Sequence, residues 1–118
     1  MIIEIPVSVG ELLDKISILT IKSCYTDSSY VTKELKDLID IAKQNCVYNE
    51  NYLNQLSEVN KILWNIEDEL RIQEKKKCFD ETFIHNARMV YKTNDERARI
   101  KKEINEAYNS SIKEIKLY

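Results

Sequence analysis

Apolar residues recur at steps of three and four along most of this chain, the spacing that lines up side chains on one face of an α-helix. Leu12, Leu13, Ile16, Leu19 and Ile21 predict a first helix from about Val9 to Ser23 with a wide apolar face. Leu35, Leu38, Ile39 and Ala42 mark a second, from about Thr32 to Gln44. The longest uninterrupted pattern runs from Tyr52 to about Lys77, with Val59, Ile62, Leu63, Ile66 and Leu70 toward a core. Phe83, Ala87 and Val90 continue it in a fourth stretch, and Ile100, Ile104, Ala107 and Tyr108 in a fifth. Ahead of these, residues 2–7 are β-prone, and Pro6 limits them to an edge or a lead-in. The tail, 109–118, reads either as a turn capped by Ser111 or as a short strand alternating at Ile115 and Leu117.

Helix ends carry their own signals. Ser8 followed by Glu11 forms a capping box, Asp80 is placed to cap the fourth stretch, and Thr93 with Glu96 predicts a restart or kink within the last one. The pattern as a whole predicts an all-α antiparallel helical bundle with one long helix. One domain spans 1–118, with a short extended arm over 1–8 and a C-terminal tail over 109–118.

Composition sharpens this picture. The chain holds one glycine and one proline, Gly10 and Pro6, where average usage gives roughly eight and six at this length. No Gly-rich phosphate loop or dinucleotide fingerprint can be built, so no nucleotide cofactor is expected. Every break after Gly10 is expected to rest on Ser, Thr, Asn and Asp. A net charge of −2 argues against a nucleic-acid partner, and no apolar run reaches the length of a membrane span. There is no charged-then-apolar leader at the N-terminus. Cys24, Cys46 and Cys78 are too far apart for a CxxC metal site and odd in number, so three reduced thiols acting as small buried hydrophobes in the cytoplasm are expected.

The third helix has the most distinctive polar pattern. Asn60, Trp64, Glu67, Arg71 and Glu74 follow steps of four, three, four and three and share one face. Trp64 is the only tryptophan, set among amide, acid and guanidinium groups suited to a polar ligand or a partner side chain. The plainer alternatives are a solvated face with a Glu67–Arg71 pair, or a polar seam between subunits with Asn60 setting register. Lys15 on the first helix, and Arg88, Tyr91 and Asp95 on the fourth and fifth, could meet this stripe. Together they would form a charged interhelical pocket for an anionic or sugar-like ligand. The run Arg97, Arg99, Lys101 and Lys102 reads as solvated helix surface, with Asp95–Arg99 and Lys102–Glu106 as pairs.

Catalytic chemistry finds little support. His85 is the only histidine, which excludes a multi-histidine metal centre, and its helical setting gives no strained nucleophile turn. Glu11–Asp14 and Glu103–Glu106 have the spacing of a carboxylate Mg²⁺ site, but Lys15 and Lys102 beside them oppose a divalent ion. No catalytic residue and no metal ligand is assigned.

Three blocks, IPVSVGELLDKISILTIK (5–22), VNKILWNIEDELRIQE (59–74) and FDETFIHNARMVYKTNDERARIKKEIN (79–105), resemble a small uncharacterised bacterial and phage family of short helical proteins. Members of that family are often encoded near glycosyltransferases and commonly carry an acid where this chain has Thr20. The resemblance implies a shared helical architecture and a link to surface-polysaccharide pathways, by association rather than by mechanism. The function expected is therefore a non-catalytic interaction or accessory module, working as a homodimer and recognising a protein partner through the Trp64 face. The alternative is a small helical enzyme or binder with the charged pocket described above.

Overall fold

The computed structural model describes residues 1–117; Tyr118, the end of the predicted tail, lies outside the described residues. Ser8 opens α1 (Val9–Ser23) as its spacing from Glu11 predicts, accepting the Glu11 amide on its hydroxyl at 3.1 Å. Glu11 does not reach back to complete the box. Its carboxylate takes the Lys101 ammonium instead. After a short link come α2 (Ser29–Gln44), α3 (Glu50–Lys75) and α4 (Glu81–Ala107). Asn49 caps α3 through the Tyr52 amide, and Asp80 caps α4 through the Phe83 amide. That amide bond, with the Cys78 thiol, holds the Asp80 carboxyl below the usual carboxylate range. Residues 1–7 carry no regular secondary structure, and no strand occurs among the described residues.

Two expectations change. There are two long helices rather than one, of 26 and 27 residues. The restart expected at Thr93 is absent, because α4 continues through it. Asn86, Thr93, Ile100 and Ile104 keep one buried register against the neighbouring helices, and that packing outweighs a local cap.

The scarcity of glycine shows at the helix ends. α2, α3 and α4 each close with a residue in the left-handed region, Cys46 (φ 58°), Lys77 (φ 53°) and Asn109 (φ 48°). The bonds Val47 N–H to Ala42 O, Cys78 N–H to Gln73 O and Ser110 N–H to Asn105 O complete the same capping motif in each. Two of these breaks therefore rest on Cys and Lys, outside the Ser, Thr, Asn and Asp expected. The one glycine is spent elsewhere. At Gly10, a Cβ would lie 2.8 Å from the Lys101 carbonyl oxygen and 2.9 Å from Asn105 Oδ1, so its absence lets α1 lie against α4.

α1, the shortest helix, is the centre of the bundle and packs on the other three. Leu12, Leu13 and Ile16 meet Ala42 of α2, Leu56 and Val59 of α3, and Ile100 and Ile104 of α4 in one core. The cross-helix bonds Gly10–Asn105, Glu11–Lys101 and Asp14–Arg97 run in opposite order along the two chains, so α1 and α4 are antiparallel. Asn49–Tyr108 and Gln73–Asn86 show the same for α3 and α4. α3 is longer than α1 by about 16 Å. Beyond the level of Trp64, where α1 ends, α3 and α4 continue as a two-helix hairpin. Ala87, expected in the core, is exposed there, and Ile62, also expected in the core, is exposed on α3 just before that level.

Candidate functional site

Three places on the molecule bring chemistry-bearing side chains together. The first is interior. Asp14 projects from α1 with 0% exposure and receives Arg97 from α4, Nε to Oδ1 at 3.0 Å and Nη2 to Oδ2 in a second, parallel bond. Asn60 of α3 donates its Nδ2 to Asp14 Oδ1 at 2.9 Å and to Ser17 Oγ at 2.7 Å, and Ser17 donates to the Asp14 carbonyl. One carboxylate thus ties three helices. The Asp14 hydrogen bond raises the Arg97 guanidinium above its ordinary pKa, so it stays charged throughout. Among the described residues every buried side-chain polar atom has a partner. The network satisfies its own donors and acceptors and fixes how the three helices meet.

The second place adjoins it. Lys101, 7% exposed, sets its ammonium between Glu11 at 2.7 Å and Glu114 of the tail at 3.2 Å. Burial pulls this lysine down, but the bonds and charges of Glu11, Asp14 and Glu114 together hold its pKa above the ordinary value. Between α4 and the tail runs a crevice of about 610 Å³, lined by Tyr91, Asn94, Asp95, Arg97, Lys101 and Glu114 among others. Lys116 crosses it to Asp95 at 3.0 Å.

The third is a surface groove where α1 ends. The Trp64 ring stacks on Tyr25, with centroids 4.9 Å apart and planes 19° from parallel. Lys61, Asn65, Ile21 and Cys24 complete this hollow of about 210 Å³.

Of the residues singled out in the sequence, Asn60, Trp64, Tyr91 and Asp95 fall in these three places and do not share one, and the others lie outside them. Asn60 is buried in the interior network, whereas Trp64 stands half-buried in the groove. Glu67 and Arg71 approach to 3.9 Å on the exposed hairpin, beside Glu74. Lys15 pairs with Glu34 of α2 at the surface, and Arg88 is exposed on α4. Tyr91 and Asp95 line the crevice. Lys15, Arg71 and Arg88 therefore do not line a common cavity.

Other readings are corrected. Arg97 and Lys101 are not solvated surface, because their register along α4 matches Asn86, Thr93, Ile100 and Ile104 and turns them inward. Arg99 pairs with Glu96 and Glu103 rather than with Asp95. All three cysteines are free and exposed, not buried. Asp14, Ser17, Arg97 and Lys101 are the residues that sequence reasoning passed over. The available signal was a guanidinium at a core position, three residues before Ile100.

No group of three or more His, Cys, Asp or Glu among the described residues could hold a metal ion, and no helix among them is long and apolar enough to cross a membrane. A family model matches the whole chain, residues 1–118. The chain belongs to the DUF6165 family of unknown function. No curated protein and no solved structure matches it. In this DUF6165 member the interior network, the crevice and the aromatic groove are thus read from their own geometry.

Proposed function

We propose that this protein is a non-catalytic interaction module whose recognition face is the groove around Trp64. The observation that carries the reading is a contrast in how polar and aromatic groups are used. The cluster with the strongest charges is closed and self-satisfied, while the largest aromatic side chain is held at the surface, stacked on a Tyr25 that is itself 66% exposed. An aromatic pair flanked by a lysine and an asparagine offers contact area at low cost in side-chain entropy, as partner-binding surfaces do. The partner we propose is a protein of surface-polysaccharide assembly, on the association that the resembling family carries, and the place of action is the cytoplasm. A photo-crosslinking amino acid placed at Asn65 in cells is expected to give one discrete protein adduct that Trp64→Ala abolishes. An adduct indifferent to Trp64, or none, contradicts the reading.

A second reading rests on the crevice. It is larger than the groove, and donors at Arg97 and Lys101 share its wall with acceptors at Asp95 and Glu114 and the amide of Asn94, groups that a hydroxylated or anionic sugar requires. On that reading a sugar phosphate or glucuronate raises Tm of the wild type but not of Tyr91→Ala or Asp95→Asn. An equal rise in all three chains contradicts it.

A further inference from the structure

The outer face of α4 carries a charge pattern that is its own complement. Glu81, Arg88, Asp95 and Lys102 are spaced by seven, so they lie along one line of the helix, and all four are exposed. Their signs alternate: negative, positive, negative, positive. Reversed, the order is positive, negative, positive, negative. Two copies of α4 laid antiparallel about an axis between Tyr91 and Lys92 therefore bring Glu81 opposite Lys102 and Arg88 opposite Asp95, each pair occurring twice. Within one chain and among the described residues, Glu81, Arg88 and Lys102 make no ion pair, and Asp95 pairs with Lys116.

The same face is apolar between its charges. Ile84 is 54% and Tyr91 55% exposed, with the exposed Ala87 a step of three or four from each, while Ala98 lies further along beside the tail. In the antiparallel arrangement Ile84 of one copy falls at the level of Arg99 of the other, and the two Tyr91 rings meet near the axis. The inward face of α4 is already committed to its own core through Thr93, Ile100 and Ile104. The stretch from Glu81 to Lys102 is about 32 Å long, enough for a continuous contact between two helices.

We propose that a second copy of this chain docks on this face, forming an isologous antiparallel α4–α4 dimer. A two-fold contact needs a surface that complements itself, and the alternating stripe has that property where a random charge run does not. Lys116 of the tail shares Asp95 with the incoming Arg88, so the two compete for one carboxylate.

Sedimentation equilibrium of the full chain tests this. The wild type is expected to sediment at twice the chain mass, with association weakened as salt rises. Arg88→Glu sets two like-charge pairs at the axis and is expected to weaken association at least about tenfold. Asp95→Arg is expected to do the same. The double variant R88E/D95R reverses both signs and is expected to recover association to within about threefold of the wild type. Circular dichroism is expected to be unchanged in all of them, since these side chains are exposed. A wild type that stays monomeric at about 0.5 mM, where such interfaces associate, overturns the proposal. So do an Arg88→Glu chain that dimerises normally and a double variant as weak as the singles.

Discussion

The two ends of this bundle use their side chains in opposite ways. Where α1, α3 and α4 lie together, charged groups are drawn inside: Asp14, Arg97, Lys101 and Asn60 are buried or half-buried, and each is bonded to another helix. Past Trp64, where α1 has ended, the α3–α4 hairpin does the reverse and leaves Ile72, Phe79 and Ile84 about half exposed or more. The difference is the third helix. With α1 present there is an interior in which a carboxylate must be paired, and the pairing fixes how three helices meet. Without it, two helices can bury only the seam between them, and their outer faces remain for other molecules.

The contrast can be broken most severely at Arg97. Arg97→Ala leaves Asp14 buried with only Asn60 to answer it, and is expected to cost about 3–5 kcal/mol, read as a lower urea midpoint. Asp14→Asn is expected to cost less, about 2 kcal/mol, because the Arg97 side chain is 27% exposed and can turn to water. Gly10→Ala comes next. Its new methyl meets the Lys101 carbonyl, and prising α1 from α4 is expected to cost about 1–3 kcal/mol in the same measurement. On the open hairpin, by contrast, Arg71→Ala is expected to stay within about 0.5 kcal/mol of the wild type.

Alkali probes the closed end without mutation. The folded-state pKa of Lys101 is raised, so its contribution is complete below the unfolded value of 10.5 and is lost as pH climbs through the folded value above it. Urea midpoints are therefore expected to fall above about pH 10.5, and Lys101→Met is expected to flatten part of that fall. A wild type and variant with the same alkaline slope would show that Lys101 does not carry this pH dependence. The smallest effect runs in the stabilising direction. Lys77→Gly and Cys46→Gly relieve left-handed residues at helix ends, and each is expected to raise stability by about 0.5–1 kcal/mol.

Much of the fold is legible in the sequence because it is local. Ser8 and Asp80 cap helices by bonds to amides three residues on, which spacing alone reveals. The steps of Leu12, Leu13, Ile16 and Leu19 mark the face that is buried. Thr93 misleads for the same reason: its capping box is a local option that the long register of α4 overrides. The candidate sites are less legible because they are made by contacts distant in the chain. Nothing near Asp14 names Arg97, 83 residues away, and nothing near Trp64 names Tyr25. Asn60 and Trp64 share a helical face but meet different neighbours, one inside the bundle and one at its surface.

We propose that the interior network holds the fold and that the Trp64 groove is the recognition face. Crosslinking from Asn65, measured beside the urea midpoint, tests both halves in two chains, Trp64→Ala and Asp14→Asn. Trp64→Ala is expected to lose the adduct and keep its helical circular-dichroism signal. Asp14→Asn is predicted to keep the adduct and to unfold at lower urea. A folded Asp14→Asn chain that loses the adduct, or a Trp64→Ala chain that retains it, would overturn this division of roles.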